Sequence, residues 1–296
     1  MKRSKFSFIL VLMLALSVFL VACSSGNEAP GTEDPAIEDP ATEEPVVEEP
    51  QNLSGPLTLS GSTSVEKVGL ALIEEFMALH PDVVGTYEAI GSSGGVKNAA
   101  DGVTQIGTSS RDLKDEEKAW GIEELTIAYD GIAVIVNPAN PVEDLTIEQI
   151  TKIYTGEITN WKDLGGNDEE IVVVSREDGS GTRGAFEEIL GIEGKLTQNA
   201  LIAEGNGNVQ STVAGNPKAI GYVSFSSLDN TIKPLKVEGV EPIAEDVING
   251  TYKISRPFIF IYKEENLTEP AKAFLDFVMS EEGQNIVEEN GAIRVK

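Results

Sequence analysis

The chain has 296 residues with 22 basic and 49 acidic side chains, a formal net charge of -27, one histidine and one cysteine. So acidic a chain lacks the basic surface that nucleic-acid binding needs. A single cysteine excludes an internal disulfide, and a single histidine leaves nucleophilic chemistry one imidazole base to draw on.

Met1-Lys2-Arg3-Ser4-Lys5 and the apolar run Phe8 to Val21 have the pattern of an export signal rather than of a spanning helix. Cys23 follows Leu20-Val21-Ala22 at the position where a bacterial lipoprotein box would place its lipidated residue, carrying acyl chains such as palmitate. Residues 1–22 are thus expected to be a signal peptide and 23–54 a lipidated cysteine with a tether. Pro35, Pro40, Pro45 and Pro50 recur every five residues, each after two acidic residues, and the segment from Ser24 to Ser54 holds nine acidic and no basic residues. Such a stretch repels itself and stays extended, spanning on the order of 90 Å at ~3.1 Å per residue.

The remaining chain alternates strands and helices. Leu57 to Ser60 predicts a first strand, and Gly61-Ser62-Thr63-Ser64 leads into a helix with its apolar face at Val65, Val68, Leu72, Ile73, Phe76 and Leu79. Thr63 and Glu66 fit a capping box, and Pro81 ends the helix. Thr63 is therefore either a cap or a ligand donor. A strand from Val83 to Ile90 runs into Gly91-Ser92-Ser93-Gly94-Gly95, which also satisfies Gly-x-Ser-x-Gly at Gly91, Ser93 and Gly95. A hydrolase using Ser93 or Ser180 would need a base, and His80 sits at a helix end between Leu79 and Pro81. Thr104 to Thr108 predicts a short strand that exits through Ser109-Ser110-Arg111, and Leu113 to Trp120 an exposed, charged helix. Leu125 to Asn137 is a long apolar strand interrupted by Asp130-Gly131, where Asp130 either caps a turn or projects into a site.

Thr146 to Tyr154 is a predicted helix, and Trp161 is expected as a packing anchor. The strand Ile171 to Val174 then opens Ser175-Arg176-Glu177-Asp178-Gly179-Ser180-Gly181-Thr182-Arg183 and a helix through Leu190. The start of a helix presents unpaired N–H groups and partial positive charge, glycines let backbone approach a ligand, hydroxyls donate, and an arginine fork matches two oxygens of an oxyanion. Asn206 to Gln210 starts a short helix, Ala219 to Ser224 is a strand, Pro257 to Tyr262 a late strand, and two helices close the chain.

The class is α/β, and ligands of such sheets sit beyond the carboxyl ends of strands. Three strand exits carry glycine with serine or threonine, and Ser110-Arg111 adds a cation at a fourth. No metal cluster, Gly-Lys-Ser/Thr or full dinucleotide fingerprint accompanies them, so neither cofactor nor metal is expected. Neutral donors with one or two arginines describe a site that holds an anion unchanged.

In this order SGSTS, AIGSSGGVK, IGTSSR, SREDGSGTR and AIGYVS resemble the phosphate-binding (PstS) family of bacterial phosphate ABC transporters, from about Leu57 to Lys296. The resemblance implies a two-lobed class II periplasmic-binding-protein fold with the ligand in the interlobe cleft, and no enzymatic activity. Lobe one would comprise 55–135 plus 258–296 and lobe two 136–257, with crossings near Ile132 to Pro138 and Ser255 to Ile261. It implies phosphate donors at Thr63, Ser64 and Ser92, and a clamp of Arg176, Ser180, Gly181 and Thr182. Where better-known members place an aspartate that accepts the proton of hydrogen phosphate, this chain has Ser110 and then Arg111. Asp130, or else Asp178, is expected to take that role. The implied partners are inorganic phosphate, a permease and, through the lipid, the membrane; a monomer on the extracytoplasmic face is expected. Sulfate or molybdate is the alternative ligand.

Overall fold

The computed structural model describes residues 52–295. The signal, Cys23 and nearly all of the tether lie outside these residues.

The first part is a βαβαβ run: β1 (Ser54–Gly61), α1 (Glu66–Leu79), β2 (Asp82–Ala89), α2 (Ser92–Asp101) and β3 (Ile106–Ser109). Strand β1 lies between β2 and β3, parallel to both. Helix α1 buries Val68, Leu72, Ile73 and Phe76 of the predicted stripe, while Leu79, expected on the same face, is exposed at the helix end. The expected Thr63–Glu66 capping box does not form: the helix starts two residues later than that box requires, with Val65 at its N-cap and no side-chain cap.

A single turn, α3 (Asp115–Lys118), precedes β4 (Glu123–Val136), the longest strand among the described residues. The second part holds β5 (Asp144–Leu145), α4 (Ile147–Thr155), β6 (Val172–Arg176), α5 (Gly181–Leu190), β7 (Leu201–Ala203), α6 (Gly205–Ala214), β8 (Ala219–Ser224), β9 (Lys233–Pro234), β10 (Lys236–Val237) and α7 (Ala244–Ile248). The chain then returns through β11 (Ser255–Tyr262) and closes with α8 (Glu269–Val278), α9 (Glu281–Glu289) and β12 (Ile293–Arg294).

The strand order is β2-β1-β3-β11-β4-β8-β6-β7. Strand β4 joins the two halves by changing partner in mid-course. Glu123 to Gly131 pair antiparallel with β11, and Ile132 to Val136 pair with β8. Strand β11 begins at Ser255 opposite Gly131, and Ile132 N donates to the Ile254 carbonyl at 2.8 Å. Each half has its own apolar core. One gathers Leu57, Leu72, Phe76, Phe258, Phe260 and Phe274. The other gathers Ile132, Tyr154, Trp161, Phe186 and Tyr222, with Trp161 buried as an anchor whose Nε1 donates to the Lys218 carbonyl. The two cores are separate and meet where β4 changes partner. The carboxyl ends of β1, β3 and β6 and the starts of α2, α5 and α6 converge there.

Candidate anion-binding cleft

Ser62 is fixed first. Its N–H donates to Thr108 Oγ1 at 2.9 Å, its carbonyl accepts from Tyr87 Oη at 2.7 Å, and its Oγ donates to Ser110 Oγ at 2.8 Å. Ser64 N then donates to Ser62 Oγ at 3.1 Å, which turns the Ser64 hydroxyl inward. Ser92, at the start of α2, accepts from Ser110 N at 3.1 Å. Ser64, Ser92 and Ser110 are therefore brought together from three strand exits.

The second lobe meets them. Thr182 Oγ1 shares a hydrogen bond with Ser64 Oγ at 2.8 Å. Gly181 lies so close to Ser92 and Ser110 that a Cβ on it would overlap both hydroxyls, which is why α5 must start with glycine. Ser180 caps α5, its Oγ accepting from Arg183 N at 3.3 Å. Arg176 is 1% exposed. Its Nη2 donates to Thr63 Oγ1 at 2.9 Å and its Nη1 to Asn206 Oδ1 at 3.3 Å, while Nε and Nη2 clasp Glu177 at 2.8 Å each. Burial pushes the Glu177 carboxyl up, but the Arg176 hydrogen bonds and charge with two backbone donors outweigh it and hold the group below its ordinary range. A backbone contact also joins the lobes: Ser93 N donates to the Gly179 carbonyl at 3.1 Å, Gly179 having φ +86°.

Three expected residues stand elsewhere. Arg111 turns away from the hydroxyls, donating from Nη1 and Nη2 to the two oxygens of Glu117 at 2.7 Å each and from Nη2 to Ser93 Oγ at 3.1 Å. It lines a neighbouring cavity of about 160 Å³ with Lys114, Gly179, Ser180 and Arg183. The segment expected to be exposed thus buries Glu117, because the Arg111 guanidinium needs a counter-charge. Asp130 is fully buried, but Oδ1 accepts from Ser224 Oγ at 2.9 Å and Oδ2 from Arg256 Nε and Nη2 at 3.1 and 2.9 Å. Arg256 bridges Asp130 to the Ser64 hydroxyl, so Asp130 does not face the cluster as the expected proton acceptor. Burial raises the Asp130 carboxyl and lowers the Arg256 guanidinium, and the contact between them opposes both shifts. Asp178 has its side chain 98% exposed on Arg183 and faces solvent.

Sequence reasoning missed Arg256 and Asn206. Asn206 Nδ2 donates to Ser64 Oγ at 3.1 Å, and its Oδ1 accepts from Ser224 N as well as from Arg176. A signal for Arg256 existed: it is a lone charge at the head of an apolar strand, as Asp130 is a lone charge within another, and the register pairs the two. Serine chemistry lacks a base, since Ser93 Oγ accepts from Arg111 and His80 packs on Phe76 with ring centroids 4.6 Å apart. Among the described residues no group of His, Cys, Asp and Glu could hold a metal ion.

Two lobes on crossing strands, with buried donors from both converging at the seam, define a two-lobed class II solute-binding protein. Residues 39–282 match the family model of the PBP superfamily domain. The phosphate-binding protein PstS of Bacillus subtilis is 36% identical over 302 residues, covering 100% of this chain and 95% of that protein. A Clostridium perfringens structure, ascribed to a phosphate ABC transporter substrate-binding protein and containing bound phosphate, superposes with a TM-score of 0.81 at 57% identity. It covers 82% of this chain and 100% of that one. An ABC-type phosphate transport receptor of Vibrio cholerae gives 0.70 at 36% identity over 81% of this chain and 100% of its own. The chain belongs to the PstS family of phosphate-binding proteins. That family comprises receptors, so the chain is not an enzyme.

Proposed function

We propose that this protein is an extracytoplasmic lipoprotein that captures inorganic phosphate between its lobes and delivers it to the permease of an ABC transporter. The observation that carries the reading is the meeting of Thr63, Ser64, Ser92 and Ser110 with Arg176, Gly181 and Thr182 at one buried point, including the 2.8 Å contact of Ser64 with Thr182. Phosphate would exchange its hydration for fixed hydroxyl and backbone donors, with Arg176 supplying the charge. The lobes expected at 55–135 with 258–296 and at 136–257 would shift by a few residues, to 54–131 with 255–295 and 132–254, turning about the point where β4 changes partner. Ligand bound to both lobes shifts the open and closed populations toward closed. A chain of net charge -27 can still hold an anion, because surface charge is screened beyond ~8 Å while buried donors act at contact.

Cys23 would carry the lipid and the acidic tether would set the reach. Among the described residues no helix is long and apolar enough to cross a membrane. Labelling with radioactive palmitate, abolished by Cys23→Ser, tests the anchor.

Sulfate is a second reading with its own support. Asp130 and Glu177 are both turned onto arginines and Asp178 faces solvent, so among the described residues no carboxylate fronts the hydroxyls to repel an ion without a proton. Calorimetric titration of the purified protein with phosphate, sulfate and molybdate decides. Phosphate binding in the micromolar range or tighter is expected. No heat with phosphate would end the transport reading, and tighter binding of sulfate would replace its ligand.

A further inference from the structure

We propose that Arg256 is a second guanidinium ligand of the oxyanion, held at the lobe crossing by Asp130, so that two cations read the ligand. This rests on the phosphate-binding reading above and deepens it.

Position comes first. Arg256 is paired with Asp130 in the register of β11 and β4, beside the point where β4 leaves one sheet for the other. Its side chain is 1% exposed and its guanidinium lies over the Phe258 ring at 5.6 Å, which leaves it little freedom to turn elsewhere.

The pairing is lopsided in a way that a purely structural bridge need not be. Nε and Nη2 both go to Oδ2 of Asp130, while Oδ1 belongs to Ser224. The other edge of the guanidinium points at the cluster: Nη2 donates to Ser64 Oγ at 3.2 Å and Nη1 to the Ser110 carbonyl at 3.0 Å. Both acceptors are in the predicted anion-contacting loops.

Ser64 Oγ marks the convergence. It accepts from Arg256 Nη2 and Asn206 Nδ2 and shares a hydrogen bond with Thr182 Oγ1. A ligand oxygen beside that hydroxyl would have a guanidinium, an amide and hydroxyls within reach as donors.

Charge agrees. A buried ion pair is a poor source of stability compared with apolar packing, so its presence at a crossing calls for another use. Arg176 and Arg256 also repel one another, which helps to lower Arg256 after the larger effect of burial. A dianion between two such cations relieves that repulsion.

The test is phosphate calorimetry with thermal melting on the purified protein and four variants. Arg256→Gln is expected to bind phosphate about 10- to 100-fold more weakly, the loss of a charged hydrogen bond. Arg256→Lys should regain part of that. Asp130→Asn leaves the cation without its carboxylate, so phosphate should bind at least as tightly as in the parent and raise the melting temperature more. The double variant Asp130→Asn with Arg256→Gln removes both charges together and guards against misfolding. It is expected to melt cooperatively and to bind as weakly as Arg256→Gln. A cooperatively melting double variant with the parent's affinity would overturn the inference while leaving the transport reading intact, as would parallel losses in Asp130→Asn and Arg256→Gln. A parent that binds no phosphate would sink both.

Discussion

Two strand exits begin alike and end differently. At one, β3 runs into Ser109-Ser110-Arg111; at the other, β6 runs into Arg176 and the turn before α5. Arg176 has its carboxylate next to it in the chain, and Glu177 takes Nε and one side of Nη2, leaving donors for Thr63 and Asn206. Arg111 has its carboxylate six residues on, in α3, and Glu117 draws both terminal nitrogens outward. The lesson is that the placing of the counter-charge decides where an arginine's remaining donors point: Glu177 leaves Arg176 donating to Thr63 and Asn206, whereas Glu117 takes both terminal nitrogens of Arg111.

The largest expected effect falls on the first of these exits. Arg176→Ala should weaken phosphate binding on the order of 100-fold or more, since it removes a buried charge and the bond to Thr63; calorimetry reads it directly. Residual binding within a few-fold of the parent would break the contrast between the two arginines. Next is Gly181→Ala, whose added methyl meets the Ser92 and Ser110 hydroxyls and holds the lobes apart. Overpacking of this kind should weaken phosphate by about 10-fold or more, with an expanded particle in small-angle scattering at saturating phosphate.

Arg111→Gln should do the opposite of Arg176→Ala. Affinity for phosphate stays at the parent's value, while urea unfolding shows a loss of about 3 kcal/mol from Glu117 left buried without its partner. Acid sharpens this. Burial raises Glu117, but its bonds to Arg111 and to the Lys114 N–H prevail and hold the folded-state value below the ordinary one. The pair's contribution is thus complete above the ordinary carboxylate range and disappears as pH falls through the lowered folded value. The stability gap between parent and Arg111→Gln should therefore be widest near neutrality and narrow below about pH 4. A gap that grew on acidification would contradict the stabilisation of the Glu117 carboxylate by Arg111.

What could be read from the sequence follows the range of the forces. The exits of β1 and β6 and the start of α2 were legible because glycine, hydroxyl residues and helical spacing are local signals. The helix face of Val68, Leu72 and Phe76 was legible for the same reason. Arg256 and Asp130 were not joined in the sequence because their meeting depends on the pairing of β11 with β4, across a whole lobe. Asn206 was visible as a helix start but not as a link between Ser64 and Arg176. Arg111 misled because the sequence gives its neighbourhood in a turn and not its direction. Thr63 was open between cap and donor; with α1 starting at Glu66, its hydroxyl faces Arg176.

The backbone bond from Ser93 to Gly179 has a use beyond this ligand. It contains no side-chain atom, so mutational drift at Ser93 keeps the N–H unless proline arrives, and the Gly179 carbonyl persists whatever follows. One docking contact is therefore independent of the side chains that choose the ligand, beside the side-chain bonds from Thr182 to Ser64 and from Arg176 to Thr63. A library that randomises the hydroxyls and arginines of the cleft would retain a common docking point, which makes the scaffold suited to reporters for other small anions.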